Sequence, residues 1–379
     1  MNILVFSWRD PKHPLAGGAE QVMHEHMKGW VEAGHSVTLF SSYFKAGKRE
    51  EKLDGLKIIR RGVQLGGVQV LGALWYLFEN HQKFDLVVDQ FHGIPFFTPL
   101  YIRRKKLAVI QEVAKEVWLM NHLPKPFNWV VGIVGYIAEP FIFLFYKKVP
   151  FMTGSLSARK DLVKFGVSEK NITIVPHGVI VPNTKIKTEK EKIKTIVYLG
   201  ALTKDKGIEE AIKTFAILNK NGMFQFWIIG RGSWIYLKEI KKLAANFKIP
   251  RKIIFWGFVS EKKKFELLSR AHILINSSAR EGWGLVNIEA NAMGVPVVAY
   301  NSPGLIDSVK DGASGIILQK NTPEEMVKTI LDLLRDPVRY ERLRESSVKW
   351  SKNFSWDKSK KESASLLDSV VSDKYSHRK

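Results

Sequence analysis

The sequence predicts an α/β chain built in two similar halves, and three observations point there. Short apolar runs alternate with longer amphipathic ones, the alternation stops in a stretch dense in lysine and glutamate, and it then restarts. Strand–helix alternation of this kind marks right-handed βαβ units on a parallel sheet. The 379 residues exceed one ordinary core and suit two.

In the first half "NILVFSW" reads as a strand, Gly17 to Glu32 as a helix and "HSVTLFSS" as a strand. "LKIIRRG" follows, then an apolar helix-like stretch over 68–80 and the strands "FDLVVDQ" and "LAVIQEV". "VPFMTGS", a helix from about Ser157 to Lys164 and the strand "ITIVP" complete that half. The run "VPNTKIKTEKEKIK" holds no large apolar cluster and reads as a linker. Beyond it "TIVYLG", "FQFWIIG", "KIIFWGF", "AHILINS", "PVVAY" and "GIILQ" are strands separated by helices of about 10 to 20 residues. The expectation is two facing Rossmann-like domains: 1–182, a linker over 183–194, and 195–356, with a helix over 357–379 returning to the first. Ligands of such sheets sit at the carboxyl ends of the strands, so the cleft between the halves is the expected site.

Composition narrows the chemistry. At 45% hydrophobic and 25% charged residues the chain is globular. It contains no cysteine, which excludes disulfides, thiolate nucleophiles and cysteine-ligated zinc and suits a reducing cytoplasm. Lysine and arginine number 59 against 37 aspartates and glutamates, a net charge of +22 that implies anionic company: nucleic acid, a phosphorylated ligand or an anionic membrane face. "MNILVFSW" lacks a basic start and reads as a first strand rather than a leader. "FNWVVGIVGYIAEPFIFLFY" (127–146) has the length of a membrane span, but Asn128, Glu139 and Pro140 interrupt it. A buried or interfacial helix pair is expected there.

The strongest chemical signal is "SAREGWGLVNIEANAMGVP", residues 278–296. After a strand the chain turns through Gly282 and Gly284 and enters a helix near Gly284, where glycine lets a ligand approach the backbone. The amides of Leu285 and Val286 sit at the positive helix end, which favours phosphate oxygens. Glu281 lies just ahead and Glu289 about one turn inside, at a distance suited to neutral hydroxyls beside a phosphate. A carboxylate accepts two hydroxyls well, and sugars offer them in pairs. One glutamate for each sugar of a nucleotide diphospho-sugar is the reading; a solvated loop glutamate and an ordinary helix glutamate is the alternative.

"EGWGLVNIEANAMGVPVVAY" resembles the E-x7-E signature of the family 4 glycosyltransferases, retaining enzymes of the GT-B fold. The resemblance runs nearly the whole chain: "AGGAEQVMHEHMKGWVEAGHSVTLF", "VYLGALTKDKGIEEAI", "IIGRGSWIYLKEI", "IIFWGFVSEKKKFELLSRAHILINSS" and "FSWDKSKKES" follow in the family's order. It implies that Glu281 contacts the transferred sugar, Glu289 the ribose, and Lys206, beside Gly207, the diphosphate. Gly17 and Gly18 would let the first domain's backbone close over phosphate and donor sugar. The base would lie near Gly257, Phe258 and Val259, with Arg231 on the neighbouring loop. The resemblance also implies a metal-independent transfer with no cofactor, in which the leaving phosphate helps deprotonate the acceptor on the same face. Lysine at the diphosphate suits the charge that builds there.

The chain departs from the family at three places. Ala201 stands where members carry an arginine, with Lys204 or Arg231 as possible substitutes. Gln111 and Glu112 stand where a histidine is usual, and His92 in "DQFHGIP" is the nearest candidate for its catalytic role. His177, Gly178, Val179 and Ile180 replace the usual Asn-Gly and acidic residue. "GRGSWI" lacks the third glycine of a dinucleotide fingerprint, which falls at Ile235.

The first half also carries "LGGVQVLGALWYLFE" (65–79) and the 127–146 segment, flanked by Arg103, Arg104, Lys105, Lys106, Lys147 and Lys148. Apolar aromatic helices beside cations suit a monotopic contact with an anionic membrane. The expected protein is a peripheral enzyme on the cytoplasmic membrane face with a lipid-linked acceptor and no nucleic-acid partner. Two alternatives are a soluble enzyme with a lysine-rich surface, and a catalytically impaired scaffold that binds membrane or nucleic acid.

Overall fold

A computed structural model describes residues 1–372 other than Leu65, His122, Pro124, 180–188, 250 and 251. The chain divides into two compact units, Met1–Gly178 with Trp356 onward, and Val179–Ser355. Residues 183–188 of the expected linker lie outside the described residues.

The first unit runs β1 (Asn2–Ser7), α1 (Gly18–Glu32), β2 (Ser36–Ser41), β3 (Glu50–Leu53), β4 (Leu56–Arg60), α2 (Gly67–Phe78), β5 (Leu86–Gln90), α3 (Thr98–Tyr101), β6 (Lys105–Val109), α4 (Phe127–Ile142), β7 (Phe151–Thr153), α5 (Leu156–Lys164) and β8 (Ile172–Ile174). Its strands lie in the order β3-β4-β2-β1-β5-β6-β7-β8, parallel except for β3 against β4. β1 is buried on both faces, and the two-residue strand period divides it. Ile3 and Val5 join Met23, Met27 and Trp30 of α1; Leu4 and Phe6 join Phe40, Val68 and Trp75. The antiparallel β3, "EEKL", is not evident from apolar periodicity because its side chains are polar and at the sheet edge. Its turn was in the sequence: Asp54 and Gly55 have φ of 50° and 80°, an Asp-Gly hairpin.

The second unit runs β9 (Lys194–Leu199), α6 (Ile208–Leu218), β10 (Phe224–Ile229), α7 (Trp234–Asn246), β11 (Ile253–Gly257), α8 (Glu261–Arg270), β12 (Ile273–Asn276), α9 (Leu285–Ala292), β13 (Val297–Ala299), α10 (Leu305–Ser308), β14 (Gly315–Ile317), α11 (Pro323–Arg335) and α12 (Pro337–Ser351). Its all-parallel sheet has the order β11-β10-β9-β12-β13-β14. The winding reverses between β9 and β12, and in the first unit between β1 and β5. Such a switch point leaves a crevice at the carboxyl ends of its two strands.

The last helix, α13 (Trp356–Val371), belongs to the first unit. Leu366, Leu367 and Val370 bury in one cluster with residues of α1, β1 and β6, α13 packing on α1 and β6. Gly29 permits the approach: a Cβ there would lie 2.5 Å from Lys360. Trp30 Nε1 donates to Ser363 Oγ at 3.0 Å.

The 127–146 segment corrects the expectation of a helix pair. One helix, α4, runs through Pro140 and ends in a single 3-10 turn over Phe143–Tyr146. Its inner face is the stripe Gly132, Gly135 and Glu139, spaced three and four apart so that all three face one way. A Cβ at Gly135 would lie 2.4 Å from the Trp118 ring. Glu139, 1% exposed, accepts from the amides of Ala114 and Lys115 at 2.6 and 2.7 Å. The glutamate that interrupts the apolar run therefore fastens the helix to the unit, while Phe127, Trp129, Val130, Ile133, Val134, Ile137 and Phe141 are exposed.

At the end of β8 a buried aromatic group joins three segments. His26 of α1 lies 5.5 Å from the Trp356 ring and 6.1 Å from His177. Burial lowers both imidazoles to about 3. Unfolded histidines titrate near 6.5, so below that pH the unfolded chain binds more protons and stability falls until about pH 3.

Two outcomes follow. Unfolding free energy from denaturant titration decreases from pH 7 to pH 4.5 by about 1 kcal/mol per pH unit for each histidine, and His26→Phe makes that slope shallower. Leu367→Ala lowers the stability of the first unit by about 2–4 kcal/mol in the same measurement.

Candidate active site

The two loops that leave the switch point of the second unit are stitched together through their backbones. Gly207, at φ 70°, precedes α6, and a Cβ on it would stand 2.0 Å from the carbonyl oxygen of Ser277 after β12. Ser277 Oγ donates to Gly207 O at 2.7 Å and the Ala279 amide to Asp205 O at 2.8 Å. From β9 beneath, the Tyr198 hydroxyl lies 2.8 Å from Ala201 O and 3.2 Å from Lys206 O. Burial, with Glu281 and Asp205 nearby, pushes that phenol well above its usual range, so it serves as a donor.

This stitching brings Lys206 and Glu281 together. Lys206 Nζ lies 3.1 Å from Glu281 Oε2 and 3.8 Å from the Asp205 carboxylate, and donates to Arg280 O at 3.2 Å. The other Glu281 oxygen accepts from Ser278 Oγ at 2.9 Å. Both long side chains are about one-fifth exposed, so the pair stands at a surface open to a ligand. Its backbone is fixed from the far side, where a Cβ on Gly304 would meet Glu281 O at 2.0 Å and the Glu281 amide donates to Pro303 O at 3.0 Å.

Gly282 carries the loop into α9. Gly284, the N-cap, has φ 79° and offers no capping side chain, so the amides of Leu285 and Val286 point outward at the positive end of the helix. Asn287 holds this end in place, accepting from Asn276 Nδ2 and donating to Ser308 Oγ, both at 2.9 Å. One turn on, Glu289 Oε1 lies 2.7 Å from Lys264 Nζ of α8. Burial raises the Glu289 carboxyl and Lys264 opposes the shift.

At the ends of β10 and β11 the Arg231 guanidinium lies 4.8 Å from the centre of the Phe258 ring, which is 73% exposed. Val259 packs partly buried against the core. A cavity of about 210 Å³ opens here among Leu202, Gly230, Arg231, Leu237, Phe255 and Gly257. The Leu202 amide donates to Arg231 O at 2.8 Å, which brings the Arg231 loop beside the one carrying Ala201.

Gly17, Gly18 and His92 belong to the first unit and share its switch point. Gly17 is exposed and its φ of −128° needs no glycine; the missing side chain is what leaves the start of α1 bare. Its amide donates to Glu20 Oε2 at 2.7 Å. Gln90 Nε2 of β5 donates to Ala19 O at 3.2 Å, tying that helix start to the strand that leads into His92. His92 is half-buried in a loop organised by Asp89, whose carboxylate accepts from the Phe96 and Thr98 amides and from Thr98 and Tyr146 hydroxyls. Two of the departures prove to be partners: His177 Nε2 donates to Gln111 Oε1 at 2.7 Å. Among the described residues no three histidine or acidic side chains gather to hold a metal ion.

Lys264 and Tyr198 escaped the sequence reading. Lys264 sits in the charged run "EKKKFE", where composition cannot tell an inward lysine from a solvated one; its position beside the buried Phe265 was the available sign. Tyr198 looks like one more apolar strand residue.

Comparison with known proteins identifies the family and the fold. Residues 182–350 match the family model described as glycosyl transferases group 1, and residues 16–181 that described as glycosyltransferase family 4. An uncharacterized glycosyltransferase of Methanocaldococcus jannaschii is 28% identical over 78% of this chain and 79% of its own. Among solved structures, sucrose-phosphate synthase from Thermosynechococcus elongatus superposes with a TM-score of 0.77 at 16% identity, covering 98% of this chain and 99% of its own. Anabaena HepE in complex with UDP-glucose gives 0.71 at 15% identity, covering 97% and 100%. These likenesses establish the GT-B fold, two Rossmann-like α/β domains with parallel sheets. With the two family models covering residues 16–350 between them, the chain belongs to the family 4 glycosyltransferases.

Proposed function

We propose that this glycosyltransferase takes its sugar from a nucleotide diphospho-sugar and transfers it with retention of configuration. The observation that carries the reading is the Lys206–Glu281 pair, 3.1 Å apart beside the uncapped start of α9 at a sheet switch point. A cation and open amides receive the diphosphate, while a carboxylate beside them receives sugar hydroxyls. Glu289 takes the ribose, and the base lies near Gly257, Phe258 and Val259. Gly17 and Gly18 bring bare backbone to the phosphate and donor sugar, and His92 serves at that sugar. The UDP-glucose carried by HepE supports a donor of this chemical class.

In the transfer the bond from the sugar's anomeric carbon to the diphosphate oxygen breaks. The acceptor oxygen bonds to that carbon on the same face, and its proton passes to the departing phosphate. Lys206 and the helix start meet the charge that builds on the leaving group, so neither metal ion nor cofactor is invoked. Arg231 is the cation that stands in for the missing arginine at Ala201, its loop being bonded to Leu202.

The acceptor is proposed to be lipid-linked, and the enzyme peripheral on the cytoplasmic membrane face. The support is the helical segment Phe127–Tyr146, α4 with its closing 3-10 turn, which is long and apolar enough to span a membrane yet largely exposed and fastened by Glu139, with exposed Arg103, Arg104, Lys147 and Lys148 elsewhere in the same unit. An apolar face with basic residues suits insertion into an anionic interface, each nearby cation adding about 1 kcal/mol.

Glu289→Ala should weaken nucleoside diphosphate binding, read by thermal shift, by roughly 10- to 100-fold. Glu281→Ala should leave nucleotide binding within a few-fold while slowing transfer by about 100-fold or more. Negligible effects from both would contradict the assignment. On flotation with anionic vesicles at low salt the protein should rise with the lipid; remaining wholly in the soluble fraction would end the membrane proposal.

A further inference from the structure

Lys264 is a lysine in a lysine-rich helix, yet its side chain is only 12% exposed. Its ammonium lies 2.7 Å from Glu289 Oε1 and 2.9 and 2.8 Å from the two oxygens of Glu261. The buried ring of Phe265 lies 5.0 Å away. Three donors are thus directed to two carboxylates, one of them the glutamate assigned to ribose. Glu289 Oε2 has no protein partner among the described residues.

The position along the chain matters as much as the contact. α8 begins at Glu261, directly after the loop Gly257–Ser260, and Ser260 caps it by accepting from the Lys263 amide at 3.3 Å. α9 begins at the phosphate side and carries Glu289. Lys264 is therefore a short tie between the helix that leaves the base loop and the helix that carries the ribose ligand. A nucleoside has a fixed span from base to ribose, so the spacing of these two helices decides whether both ends are met at once.

We propose that Lys264 is a positioning residue for nucleoside recognition, which locks α8 to one oxygen of Glu289 and leaves the other turned to the ribose hydroxyls. The inference rests on the reading of Glu289 as the ribose ligand. A carboxylate covered by a nucleotide loses water, and an adjacent ammonium offsets that loss while leaving its other lone pairs available. The charged groups that bear on Glu289 are Lys264 and, with opposite sign, Glu261, both on α8; of the other helices packed on α9, α10 carries Asp307, which accepts from the Gly304 amide, and α12 carries among its charges Arg344, which donates to Glu341 and to Gly294 O. Burial already raises the Glu289 carboxyl, so removal of Lys264 raises it further. The protonated acid then accepts poorly, and binding fails from a higher pH downward.

The test uses the full chain with UDP, GDP and ADP, and the 2′-deoxy form of whichever binds best. Lys264→Met is expected to weaken the ribonucleotide by roughly 10- to 100-fold at pH 6 and by less at pH 8, while the 2′-deoxy analogue loses little. Lys264→Arg, which keeps the cation, is expected to recover most of the loss. Because ribo- and deoxyribonucleotide are compared on one protein, general damage to the fold would weaken both alike and would overturn the proposal, as would an unchanged pH profile. Should Glu289→Ala bind as the parent does, the ribose assignment itself fails and takes this inference with it; a loss in Glu289→Ala with none in Lys264→Met removes only the role of Lys264.

Discussion

The backbone contact between Gly207 and Ser277 governs the second unit's chemistry. There is no room for a single methyl group between the loops after β9 and β12, and the Ser277 hydroxyl and the Ala279 amide close the seam. Lys206 and Glu281 are side chains of those two loops. Long, flexible and partly exposed, they would gain little from pairing in water. Held by a seam of backbone hydrogen bonds, they meet at one place without a large loss of freedom on binding.

A second constraint repeats at the two helix starts beside this seam, α6 and α9. Gly207 and Gly284 both adopt left-handed backbone as N-caps, and neither supplies the side chain that normally caps a helix. Helix amides left open in this way cost stability in an empty site and become useful when an anion arrives. The carboxylates nearby are each matched to a lysine: Glu281 to Lys206 and Glu289 to Lys264. Without those cations, two acidic groups beside the open helix starts would repel the anion that the proposed function brings there.

The first unit solves a different problem. Its α4 offers an apolar surface that a chain in water would normally bury, and the inner stripe of two glycines and a buried glutamate keeps it seated. Glu139 takes two backbone amides, a bonding arrangement that a membrane crossing would have to break. The Gln111–His177 bond shows a related economy. A family histidine and a family asparagine are both absent, and their replacements bond to each other, so the two departures count as one change.

The sequence by itself determined the alternation of strands and helices, the two-unit build and the signature around Glu281 and Glu289, because these rest on local periodicity and short spacing. It even held the Asp54–Gly55 turn that makes β3, although polar residues hid the strand. Only the tertiary structure decided which charges meet. Lys264 reaches Glu289 across 25 residues, Gln111 reaches His177 across 66, and α13 reaches Trp30 across 333. No local pattern encodes such pairs, since a lysine in a run of lysines has the same helix propensity whether it faces water or a carboxylate. The packing of β-strand order, helix crossing and glycine-sized gaps selects one of them, and chemistry follows from that selection.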